Sequence, residues 1–140
     1  SMISLFEKPK FKTFIQQASA KDIAQLSDGL KAFIHGDQQQ GFEQMLEVLK
    51  PAKLAKWSLM TIIPNYYAPN DEVFVKPTTA KGVVKYFNLD ELVYKPTPSW
   101  AFYKAYREII LQMKEYVDES LKPSNAAFCG FLMMMLDSLE

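Results

Sequence analysis

Five Lys-Pro dipeptides, closing at Pro9, Pro51, Pro77, Pro96 and Pro123, punctuate the chain. Proline has no backbone N–H and its ring clashes with the carbonyl four residues back, so a helix interior resists it while a first turn accepts it. Each dipeptide therefore reads as a helix boundary. Between them apolar residues recur at helical spacing, which predicts a chain of short helices.

Phe11, Phe14 and Ile15 follow Pro9 and predict a short first helix. Ser19 is placed to cap a second by accepting the N–H of Asp22, with Asp22 reaching back, and Ile23, Leu26, Leu30, Phe33 and Ile34 form its apolar stripe. Gly36 is expected to end it in the left-handed conformation, just after His35 at the negative end of the helix dipole. Asp37 caps a third helix carrying Phe42, Met45, Leu46 and Leu49. Leu54, Trp57, Met60 and Ile63 mark a fourth, which Pro64 is expected to terminate. A longer helix is predicted from Pro98 to Leu121 on Phe102, Tyr106, Ile109, Met113, Tyr116 and Val117. Ser124 then caps a final helix through Phe128, Phe131, Leu132, Met135, Leu136 and Leu139.

Between the two halves the pattern changes. Residues 72–78 read Glu-Val-Phe-Val-Lys-Pro-Thr, and residues 91–97 read Glu-Leu-Val-Tyr-Lys-Pro-Thr. Each copy sets β-branched and aromatic residues before a proline that biases its predecessor toward extended geometry, so both predict short strands. Each leads into a helix, with Thr78 or Thr79 as cap of one and Thr97-Pro98 as cap and first turn of the other. The expectation is a mainly α fold, a single helical domain of six or seven helices over residues 2–140 with a minor two-stranded β element around 72–95. Ser1 before Met2 reads as a remnant of tag cleavage.

Composition narrows the function classes. The 140 residues carry 16 Lys+Arg against 16 Asp+Glu, so no long-range field gathers nucleic acid or an anionic membrane. Residues 76–107 hold six basic and two acidic groups among several aromatics, but the lysines are spread over three elements. A helix-turn-helix would want a small residue where Val84 stands and an unbroken helix where Pro96 and Pro98 stand. Weak nucleic-acid binding through the 76–107 basic and aromatic segment is accordingly kept only as a third functional reading, behind the two given below. No apolar run approaches the roughly 20 residues of a membrane-spanning helix, and no export signal is visible, so the expected setting is soluble and cytoplasmic. One cysteine and one histidine cannot build the usual four-ligand structural zinc site or an internal disulfide, and no metal or cofactor is expected.

Reactive constellations are absent as well. There is no Walker-type loop, His-Glu-x-x-His or Gly-x-Ser-x-Gly, and no carboxylate pair sits on an apolar helix face. Cys129 lies between Phe128 and Gly130-Phe131, surroundings that raise a thiol's pKa and suit a small buried hydrophobe. Arg107, among fifteen lysines, is expected to stack on an aromatic ring or pair with a carboxylate from another element. The chain is not expected to be an enzyme.

Two functional expectations remain. Every residue from Phe128 to Leu136 is apolar or glycine, so the last helix is either central or shared with a partner. Phe128, Phe131, Leu132, Met133, Met134 and Met135 are the candidate interface of a protein-contact module, with a second copy of the chain as the commonest partner. The alternative is a small anionic ligand. Were the two strands parallel neighbours, Lys76, Thr78 and Thr79 would converge with Lys95, Thr97 and Ser99 at two helix N-termini, where phosphate or carboxylate is bound.

Overall fold

The computed structural model describes residues 7–139, so Ser1 and the expectation attached to it lie outside the described residues. Seven α-helices are found there: α1 Glu7–Gln17, α2 Ala20–His35, α3 Gln38–Leu49, α4 Trp57–Tyr67, α5 Pro77–Tyr86, α6 Trp100–Lys114 and α7 Asn125–Ser138, with a 3-10 turn at Glu119–Leu121. None is long and apolar enough to cross a membrane.

Capping chemistry sets most of the boundaries. Ser19 Oγ accepts the Asp22 N–H at 3.1 Å, Asp37 Oδ1 accepts the Gln40 N–H at 3.1 Å, and Ser124 Oγ accepts the Ala127 N–H at 3.1 Å. Five boundaries differ from expectation. Gly36 closes α2 with φ −135°, outside the left-handed region, while its N–H still reaches the Ala32 carbonyl. Pro64 lies inside α4, where it is buried and the helix runs on to Tyr67. Lys76, not Thr78 or Thr79, is the cap residue of α5, because Pro77 takes the first helical position. Ser99 rather than Thr97 caps α6 by accepting the Phe102 N–H at 3.3 Å, and α6 stops at Lys114 before Asp118 caps the 3-10 turn.

Helices α2 and α3 make the tightest pair. Gly29 and Gly41 face each other where they cross, and a Cβ on Gly41 would lie 2.5 Å from the Gly29 carbonyl oxygen and closer still to the Phe33 nitrogen. The pair delivers Phe33 and Phe42 into an aromatic core with Trp57, Phe102 and Tyr103. Ring centroids there stand 5.2–6.3 Å apart in tilted arrangements that favour the ring quadrupoles.

The expected two-stranded element does not form: among the described residues there is no strand. After a bend at Glu72, residues 73–76 run without regular secondary structure, Lys76 in the extended geometry that Pro77 imposes on it, and side chains from three helices meet them. The Val73 N–H donates to Tyr103 Oη at 3.1 Å, and the Val75 N–H donates to Thr61 Oγ1 at 2.9 Å. The Glu72 carbonyl accepts Asn65 Nδ2 and Asn125 Nδ2, each at 2.9 Å. Side chains of α4, α6 and α7 thus supply the partners a neighbouring strand would have given, and a buried backbone polar group needs one or the other. The second copy is tied differently. Leu92 folds back to the Leu89 carbonyl, and the Lys95 carbonyl accepts Trp57 Nε1 at 2.8 Å.

Gly41→Ala forces a methyl group into backbone atoms that no rotamer change can move. Its expected cost is about 1–3 kcal/mol in urea unfolding, the range of an overpacked core. An unchanged midpoint would mean that α2 and α3 separate at no cost.

Candidate functional site

The strap of residues 72–76 also fixes the molecule's main polar cluster. Glu72 begins it, and its carboxylate is almost enclosed, 6% exposed against 16% for Arg107. Arg107, from the middle of α6, donates through Nη1 to both Glu72 oxygens and to Gln38 Oε1 at 3.0 Å. Gln38, in the first turn of α3, donates to Glu72 Oε2 and to the Phe33 carbonyl, both at 3.1 Å. Tyr103 Oη donates to Glu72 Oε1 at 3.3 Å while accepting the Val73 N–H. Burial first, then the neighbouring Glu72 charge, raises the Tyr103 pKa, so the phenol stays a donor across ordinary pH. The guanidinium lies over Trp100 and Tyr103, with centroids at 5.5 and 5.3 Å, joining the ion pair and the ring stacking expected of Arg107.

This cluster walls a cleft of about 480 Å³ that Tyr67, Asp71 and Glu108 also line. Every oxygen of Glu72 is engaged, so it has no free lone pair to take a substrate proton, and the cluster works as a tie between α3, the strap and α6. His35, at the end of α2, rests edge-on against Tyr67 with centroids 5.1 Å apart.

The candidate anion residues divide. Lys76 and Thr79 line a second cleft, of about 340 Å³, between α5 and α7. Phe74 of the strap and Ala126, Cys129, Gly130 and Met133 of α7 complete it. Thr78 is exposed on the first turn of α5. Lys95 and Thr97 are exposed on the second segment, and the Ser99 hydroxyl is occupied as the α6 cap. The parallel pairing that was to bring the two groups together is absent, since neither segment is a strand.

The candidate interface residues divide too. Phe128 and Leu132 are buried in the core, Phe131, Met133 and Met135 are half-buried, and Met134 is 70% exposed. One side of α7 therefore packs inward while the other meets solvent. Cys129 is on the inner side, and burial pushes its thiol up to about 12, partly offset by the Lys114 charge. The Tyr106 hydroxyl is fully buried with no hydrogen-bond partner among the described residues, and burial, then the nearby Cys129, holds its pKa well above the usual phenol value.

Sequence reasoning missed Glu72, Gln38, Asn65 and Asn125. Their one legible signal was Glu72 heading the fully apolar Val73-Phe74-Val75, where a carboxylate needs a cation and Arg107 is the residue built to pair with it. Comparison with protein-family models, with curated proteins and with solved structures gave no match.

Arg107→Met would leave Glu72 enclosed and unpaired, and its expected cost in urea unfolding is about 3–5 kcal/mol. Replacing Glu72 by Met in the same chain should recover much of that loss. A single variant as stable as the parent protein would remove the cluster from the list of structural ties.

Proposed function

We propose that this protein acts by contact rather than by catalysis, as a cytoplasmic interaction module whose partner is a second copy of the chain, met through the outer side of α7. The observation that carries the reading is Met134, 70% exposed in a helix whose residues from Ala126 to Leu136 are all apolar or glycine. Half-buried Phe131 and Met135 extend the patch along the same helix. Buried Phe128 and Leu132 anchor the opposite side, so the patch is presented on a rigid support. Thioether side chains adapt to varied surfaces, and one patch used twice about a two-fold axis closes without leaving an open end.

The reactive groups fit this reading. A thiol pushed up to about 12 offers little thiolate near neutral pH, which is a poor start for a nucleophile. Glu72, the most enclosed carboxylate of the polar cluster, is fully bonded. A lone free cysteine also suits a reducing compartment.

Light scattering across a concentration series tests the proposal. The expected result is a mass that rises from monomer to dimer, with Met134→Lys holding the chain monomeric at an unchanged melting temperature. A monomer mass at every concentration would contradict it.

A further inference from the structure

We propose that the cleft between α5 and α7 binds a small monocarboxylate with a short apolar tail, its carboxylate at the N-terminus of α5 beside Lys76 and Thr79 and its tail against Phe74, Gly130 and Met133. This site is independent of the outer side of α7, because it opens on the face of that helix turned toward α5.

The start of α5 is built with unused donors. Lys76 is the cap residue and makes no side-chain cap bond, and Pro77 behind it has no N–H to give. The N–H groups of Thr78 and Thr79 therefore face outward at the positive end of a ten-residue helix. That end alone would mean little. Thr79, however, is only 4% exposed, lines the cleft, and its hydroxyl makes no hydrogen bond among the described residues. The hydroxyl oxygen itself is not sealed from solvent, so it stands on the cleft wall as a free donor that a bound acceptor would engage.

The cation at the mouth is equally unspent. Lys76 Nζ lies 3.4 Å from the Met133 sulfur, a weak acceptor, and forms no ion pair among the described residues. No carboxylate lines the cleft to compete for it. The Cys129 thiol in the wall stays neutral and so does not repel an anion.

Gly130 is the independent sign that the space is kept open. A Cβ built there meets nothing within 4 Å, so no packing contact requires glycine, although glycine inside a helix lowers stability relative to other residues. It contrasts with Gly41, where backbone atoms exclude any side chain. Gly130 instead leaves a recess in the wall of the cleft, next to apolar Phe74 and Met133. The cleft's volume, about 340 Å³, is at the small end of the range for ligand pockets.

Charge selects the head group. One ammonium and the roughly half charge of a helix N-terminus balance a monoanion better than a dianion. Neither the planar guanidinium nor the glycine-rich loop that phosphate sites favour is present in the lining.

Calorimetric titration of the whole chain with hexanoate, hexyl phosphate and 1-hexanol tests the proposal. Hexanoate should bind one to one and more tightly than either of the others. Binding should weaken about tenfold or more in Thr79→Val and in Lys76→Met, each losing a donor to a charged group. Gly130→Leu should abolish it while raising the melting temperature, since the new side chain fills the recess and favours the helix. If Gly130→Leu does not fold, exposed Lys76→Met carries the decision. Absence of hexanoate binding, equal binding of 1-hexanol, tighter binding of hexyl phosphate, or full affinity in Lys76→Met or in a folded Gly130→Leu would each overturn the assignment. None of these results alters the mass measurement that decides self-association.

Discussion

The enclosed carboxylate of Glu72 is the constraint from which the rest of the architecture follows. An ionised group taken out of water must be met by a cation and by donors for its remaining lone pairs, or it destabilises the fold by several kcal/mol. Arg107 from α6, Gln38 from α3 and Tyr103 from α6 meet it here, so two helices distant in sequence are bound to one residue of the strap. Because Tyr103 turns its hydroxyl to both Glu72 and the Val73 N–H, the same ring joins the charge cluster to the strap's backbone.

The strap then organises what lies beyond. Its carbonyl at Glu72 holds Asn65 and Asn125, and the Asn125 N–H reaches the Pro69 carbonyl at 2.7 Å, which sets the start of α7. From that fixed start, α7 turns Phe128, Cys129 and Leu132 inward and leaves Met134 outside. Gly82 of α5 sits where a Cβ would come 3.1 Å from Leu136 Cδ1, so α5 packs closely along α7 and the cleft opens at its first turn. Both functional proposals thus concern one helix, whose position descends from hydrogen bonds at its N-terminus.

Local signals were legible in the sequence at three helix starts, though not at Pro64 or at the caps of α5 and α6, where Lys76 and Ser99 stand in place of the threonines expected. Ser19, Asp37 and Ser124 cap as expected because the bond each makes spans three residues. The stacking and pairing of Arg107 followed from the chemistry of a single guanidinium. The strands did not follow, because extended backbone accepts hydroxyl and amide side chains as readily as a ladder. Nothing in Val73-Phe74-Val75 says that Tyr103 and Thr61, 30 and 14 residues away, will be the partners. The same gap divided the Lys-Pro-Thr repeat. Its copies share residues, yet one heads a buried strap and the other an exposed connection, since only Glu72 meets a cation while Glu91 faces solvent.

Native-state hydrogen exchange at the Val73 and Val75 amides tests most directly whether the strap is held by helix side chains as a structural centre. If it is, both should exchange only through global unfolding, with protection equal to that of the amides in the middle of α6. Exchange as fast as that of an exposed loop would contradict the account and make the strap a passive connection.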